Sequence, residues 1–171
     1  MVALAMPQPV IAAVNGPCIG AGLGLAVSCD VRFASQTAYF STIFSRRGLI
    51  AEFALAWSLP RLIGRGAASD LLLSGRRVSA TEALQIGLVS EILSADALLQ
   101  HAIDYAHDIA ENVSPRSARV IKAQLRAAEG ETLPEALATA DEALQGSLAS
   151  ADFREGMAAL RERRPPAFPS P

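Results

Sequence analysis

Two features of this 171-residue sequence have the residue types and setting for proton and oxyanion chemistry. The first is Glu52, the single carboxylate in "FSTIFSRRGLIAEFALAW", residues 40–57. It stands between the pair Leu49-Ile50 and the run Phe53-Ala54-Leu55-Ala56-Trp57. Apolar flanks are expected to keep such an acid partly dry, a setting that suits a general base. The same place also suits the polar start of an amphipathic helix, where the helix dipole favours a carboxylate by roughly 0.3–1 kcal/mol. The second feature is the glycine-rich turn "GPCIGAGLG", residues 16–24. A helix that starts there, directly after a buried strand, presents free backbone N–H groups. Fixed donors of that kind stabilise an oxyanion without reorganising. Small residues in a row equally suit close packing of a helix on a sheet. The residues alone leave both choices open.

Other candidate groups are weaker. Gly20, Gly22 and Gly24 read GxGxG, which is not a dinucleotide fingerprint, and an acidic ribose partner is missing at the expected distance. No Lys-Ser/Thr pair follows to make a phosphate loop. Arg46 and Arg47 suit either a phosphate or a solvated loop, and the loop is favoured. Cys18 and Cys29 form no CxxC and no zinc cluster, so they read as two reduced thiols of a cytosolic protein. His101 and His107 are six apart on a helical pattern and face different ways, so they make no metal pair.

The elements that must position Glu52 and the glycine turn follow from the patterning. "PVIAAV", Pro9–Val14, reads as a strand covered on both faces, ending at the turn signal "NGP". A buried helix starts from Gly20. Asp30–Ser35 and Ala38–Ser41 read as short strands. Glu52–Ile63 and Gly66–Gly75 read as two helices separated by Gly64. Ser79, with Glu82 three residues on, has capping-box spacing. Leu88–Leu93 reads as a further strand. Helical patterns then cover Asp96–Asn112, Pro115–Glu129, Leu133–Ser150 and Asp152–Arg164, and a proline-rich extended tail follows.

Length and composition fit one domain with a real core. With 15 basic and 17 acidic residues and no basic run interleaved with aromatics, no nucleic acid partner is expected. The apolar run Val10–Val27 imitates a membrane span. However, Asn15, Gly16 and Pro17 interrupt it, and no Lys or Arg precedes Arg32 to form the charged start of a signal peptide. No membrane association is expected.

Three stretches together resemble the crotonase, or enoyl-CoA hydratase/isomerase, superfamily. They are "PVIAAVNGPCIGAGLGLAVSCDVRFAS", "LLLSGRRVSATEALQIGLVSEIL" and "DFREGMAALRERR", in the family's order and spacing. The resemblance implies an α/β fold: the C-terminal part of a crotonase-type ββα spiral, followed by a helical trimerisation block. On that basis residues 1–95 form a partial spiral core, 96–164 the helical block and 165–171 the tail. The N-terminal portion of the family fold is expected to be absent, and with it one oxyanion donor and much of the coenzyme A pocket.

The resemblance also implies roles. The family's glycine-turn donor falls on Ala21, beside Gly20. The two glutamates of the family's hydratases fall on Gly24 and Phe44, so neither hydratase acid is present. Several family members that move a double bond from the 3 to the 2 position place one acid four residues beyond the glycine after the strand. Counting from Gly48, that position is Glu52. Ile43, Phe44 and Trp57 would line the acyl pocket, with Phe53, Leu55 and Trp57 excluding water, and Arg163 would contact coenzyme A. The implied reaction is isomerisation of a 3-enoyl-CoA through an enolate. No cofactor is needed beyond the coenzyme A of the substrate. A homotrimer or dimer of trimers in the cytoplasm is implied. Two competing readings are a catalytically silent, crotonase-like assembly module and an enoyl-CoA hydratase.

Overall fold

The computed structural model describes residues 2–169. The chain forms two compact units, one holding the segment up to Met6 and Val10–Ile103, the other Pro7–Pro9 and the chain from Asp104 onward. The division falls inside a helix, whereas the sequence reading drew its boundary at residues 95 and 96.

In the first unit the elements are α1 (Val2–Ala5), β1 (Ile11–Val14), β2 (Pro17–Ile19), α2 (Ala21–Ser28), β3 (Val31–Ser35), β4 (Tyr39–Ser41), α3 (Leu55–Ser74), β5 (Val78–Ser79), α4 (Ala80–Gln85) and β6 (Glu91–Leu93). One sheet has the order β1-β3-β6, with both pairs parallel and Ile11 opposite Val31, Phe33 opposite Glu91. The other has the order β2-β4-β5. Cys18 lies opposite Phe40 in parallel, and Phe40 opposite Val78 antiparallel. Parallel neighbours require a crossover. Between β1 and β3 it is made by β2 and α2, which gives a ββα step.

Leu23, Phe40, Leu55, Leu59, Leu71, Val78 and Leu88 are wholly buried and form one core with Cys18, Ala34 and Phe44. A smaller cluster of Phe33, Leu98 and Ala102 lies under α5 (Ala95–Asn112), where His101 meets the edge of Phe33 at 4.8 Å.

Several expectations need correction. β1 is half-buried along its length. It lies at the end of its sheet's strand order, paired only with β3 among the described residues. Pro17–Ile19, read as part of a turn, is a strand because it pairs with β4. Helix α3 starts at Leu55, not at Glu52, because Phe53 and Ala54 both take left-handed backbone angles that a helix cannot continue. Its break at Gly64 (φ 76°, ψ 155°) is where the sequence placed it. Ser79 does accept the Glu82 N–H at 3.2 Å, but the Glu82 carboxylate turns to Arg76, so only half of the capping box forms. Leu88 and Val89 are buried without being strand, and only Glu91–Leu93 joins the sheet.

The second unit holds the end of α5 with α6 (Pro115–Ala127), α7 (Leu133–Leu148) and α8 (Ala151–Glu162). Each start is fixed by a side chain. Ser114 accepts from Ser117 N–H at 3.0 Å, Glu135 takes the Thr132 N–H at 2.7 Å, and Ser150 accepts from Phe153 N–H at 3.0 Å. Lys122 is buried and donates to the Gln8 carbonyl at 2.8 Å, which holds Pro7–Pro9 to α6. The tail folds back on α8. Ala167 N–H donates to Glu155 at 2.7 Å, and the Phe168 ring lies near Gly156.

Candidate active site

The glycine turn is built as a helix start. Gly20 caps α2 with φ 54° and ψ −116°, a conformation that favours glycine, and its N–H donates to the Ser41 carbonyl at 2.9 Å. No side chain caps α2, and the first intrahelical donor is Gly24, to Gly20 at 3.0 Å. The N–H groups of Ala21, Gly22 and Leu23 therefore have no acceptor inside the helix. Ala21 and Gly22 are exposed. An oxygen bearing developing negative charge is the ligand such donors suit.

Around this turn the chain gathers aromatic and branched side chains. A Cβ placed on Gly20 would meet Ile43 at 3.4 Å and Phe44 at 3.7 Å. One placed on Gly24 would come within 2.6 Å of the Phe53 Cβ. The Phe44 and Phe53 rings stack with centroids 6.4 Å apart and planes at 29°. Gly20, Ile43 and Phe44 are thus brought together as the sequence suggested, and Phe53 joins them. Gly24 and Phe44 both pack against Phe53.

Ile43, Phe53 and Ala54 have φ of 54°, 53° and 54°. Non-glycine residues there carry strain of roughly 1–3 kcal/mol each, and such strain clusters at functional sites. Ser41, Thr42 and Arg46 hold this stretch. Their side chains donate to the carbonyls of Gly75 at 2.9 Å, Leu71 at 2.7 Å and Ser74 at 2.7 Å, all at the C-terminal end of α3. Arg46 thereby bonds the end of α3, which is neither the phosphate contact nor the solvated loop that the sequence suggested. The polar pattern "STIFSR" was its only signal.

Glu52 is half-buried, one residue before Phe53, and its carbonyl accepts the Leu55 N–H at 3.1 Å. Among the described residues nothing hydrogen-bonds or ion-pairs with its carboxylate. Four other acids of this unit, though not Asp96 at the start of α5, are engaged: Asp30 with the Val10 N–H, Asp70 and Glu82 with Arg76, and Glu91 with His101. The dry surroundings expected of Glu52 are built only in part. Leu55 is buried, but Leu49, Ile50 and Phe53 are exposed, Ile50 to 81%. Trp57 is exposed too, with the Arg61 guanidinium 4.2 Å above its ring. The side chains nearest Gly20 and Gly24 are Ile43, Phe44 and Phe53, not Trp57. Arg163 belongs to the second unit, where it ends α8 in a left-handed conformation with φ 53° and is exposed. Among the described residues no cluster of His, Cys, Asp or Glu could hold a metal ion.

The whole chain, residues 1–171, matches the family model described as enoyl-CoA hydratase/isomerase. The chain belongs to the enoyl-CoA hydratase/isomerase family. Relatives agree. The Bacillus subtilis protein YngF, named as an enoyl-CoA hydratase/isomerase, is 38% identical over 160 residues, 94% of this chain and 61% of YngF. A Rhodobacter capsulatus protein named as a probable enoyl-CoA hydratase is 40% identical over 163 residues, 95% of this chain and 63% of its own. The crystal structure of a probable enoyl-CoA hydratase/isomerase from Mycobacterium abscessus superposes with a TM-score of 0.95 at 36% identity. That match covers 98% of this chain and 66% of the other. The fold is therefore crotonase-type α/β, and the chain spans about three fifths of the length of the curated relatives it matches.

Proposed function

We propose that this chain acts on an acyl-CoA thioester and shifts its double bond from the 3 to the 2 position, with Glu52 as the single acid/base. The reading rests on one observation. Glu52 is half-buried with no internal partner for its carboxylate among the described residues, while Gly24 and Phe44, on which the family resemblance puts the hydratase acids, pack against Phe53. In this scheme Glu52 removes a proton from C2, and the electron pair delocalises onto the thioester oxygen. The Ala21 N–H donates to that oxygen, and the same carboxyl then returns the proton at C4. Proton count and charge close without water. Gly20, Ile43 and Phe44 would face the acyl group, and Trp57 would extend that wall if the thioester reaches it. Arg163 would meet the coenzyme A.

The reaction requires no cofactor besides the coenzyme A carried by the substrate. In the same reading copies of the chain associate through the helical unit as a homotrimer or a dimer of trimers, and the protein works in the cytoplasm. Among the described residues no helix is long and apolar enough to cross a membrane.

Turnover of 3-hexenoyl-CoA to the 2-enoyl product by wild type and Glu52→Gln tests the proposal. Loss of an acid/base typically costs about 10²–10⁴ in rate, with thioester binding largely kept. Wild-type turnover by the variant would refute it. Appearance of a 3-hydroxyacyl product from a 2-enoyl-CoA would favour the hydratase instead. The silent assembly module draws on the exposed leucines of α6 and α7, among them Leu125, Leu133 and Leu137. An assembled species in sedimentation that binds no thioester would favour it.

A further inference from the structure

Phe53 is partly exposed yet closely seated on its neighbours. Its side chain is 40% exposed, so it is not a core residue. Its Cβ and Cγ nevertheless lie where a side chain on buried Gly24 would begin, at 2.6 and 2.7 Å from an ideal Cβ there. Its ring stacks on buried Phe44. Both Phe53 and Ala54 hold left-handed backbone angles, and wholly buried Leu55 follows as the first residue of α3. Glycine inside a helix is less favourable than alanine. Gly24 is explained by this contact, because any larger residue would push the Phe53 backbone away.

Glu52 is thus held on its C-terminal side by an anchored neighbour and by its own carbonyl, bonded to the Leu55 N–H. Its carboxylate is left without an internal partner among the described residues. A carboxylate that must reach two carbons of one substrate in turn gains from a fixed backbone, because a displacement of an ångström can cost about a hundredfold in rate. We propose that Phe53 is a positioning residue whose seat on Gly24 and Phe44 sets where Glu52 stands relative to the glycine turn. The proposal rests on the reading of Glu52 as the acid/base.

A double-mutant cycle tests it, with Phe53→Gly, Gly24→Ala and their combination. Phe53→Gly removes the anchor and also relieves the left-handed strain. Gly24→Ala evicts the anchor from its seat. Each single variant is expected to lower kcat on 3-hexenoyl-CoA by about tenfold or more, with KM changed far less. The combination is expected to be no worse than the poorer single variant, because both break one contact. Phe53→Leu, which keeps Cβ and Cγ, is expected to lose less.

Carbodiimide coupling at Glu52, read by peptide mass spectrometry, gives a readout independent of turnover. Coupling should quicken by about threefold or more in Phe53→Gly as the loop loosens, with exposed Glu129 unchanged and the melting temperature kept. If Glu52→Gln is inactive while Phe53→Gly keeps both wild-type kcat and wild-type Glu52 coupling, the anchor role is refuted and the acid/base survives. If Glu52→Gln stays active, the acid/base itself is wrong. Additive losses in the double variant would also overturn the shared contact.

Discussion

The buried hydroxyl of Thr42 donates to the Leu71 carbonyl at 2.7 Å, joining the loop that carries Ile43 and Phe44 to the last turn of α3. Ser41 and Arg46 do the same to Gly75 and Ser74. The Leu71 carbonyl also accepts the Gly75 N–H at 3.0 Å, so Thr42 adds a second bond to it. Ser41 and Arg46 instead take up carbonyls at and just past the helix end, where a cation also suits the helix dipole. Thr42→Val keeps the shape and removes the donor. It should destabilise the protein by about 1 kcal/mol, measured by urea unfolding. An unchanged midpoint would mean that the loop does not depend on this bond.

Arg163 is proposed to meet the nucleotide end of the substrate, and truncated thioesters separate that role from a structural one. Arg163→Ala should raise KM for 3-hexenoyl-CoA by about tenfold, the worth of a hydrogen bond to a charged group. KM for the matching N-acetylcysteamine thioester, which has no nucleotide, should stay the same. An equal rise for both thioesters would assign Arg163 to folding.

Burial raises the Cys18 thiol to about 11, while Cys29 is half-buried at the end of α2. Both line a mostly apolar concavity of about 440 Å³ beside β1. Burial thus keeps Cys18 from forming the thiolate, the form that reacts. Iodoacetamide should therefore label Cys29 well before Cys18, as peptide mass spectrometry would show. Simultaneous labelling would mean that the first unit opens readily around β2.

In the second unit Arg164 and the Ala167 N–H hold the Glu155 carboxyl at about 2, below its ordinary 4.5. A group depressed in the folded state favours that state above its unfolded pKa, and the advantage is lost as pH falls through the folded value. The fold-back of the tail should therefore be complete above about pH 4.5 and should release only toward pH 2. The Ala167 amide resonance would follow it. In Glu155→Gln the same resonance should shift toward its unfolded position at neutral pH.

Patterning made much of the scaffold legible before any coordinates. β3 and α5 to α8 stand close to where apolar periodicity and capping residues put them, and Gly64 breaks α3 as read. What stayed hidden depended on distant partners. Pro17–Ile19 is a strand only because β4 lies beside it, and Glu82 leaves Ser79 only because Arg76 offers two hydrogen bonds. At the site, the grouping of Gly20 with Ile43 and Phe44 was foreseen through family likeness. The seat of Phe53 was not, since no residue type announces a left-handed phenylalanine. Trp57 and Ile50 read as cover for Glu52 because they are apolar, yet adjacency in sequence does not fix which way a side chain turns.

The first sheet also dictates an order of events during synthesis. β3 can pair with β1 as soon as both have left the ribosome, but its other neighbour includes Glu91, opposite Phe33. Until that later stretch emerges, β3 offers a bare row of amides and carbonyls to any extended peptide nearby. The time between synthesis of residues 35 and 91 thus sets how long a growing chain stays open to wrong pairing along this edge.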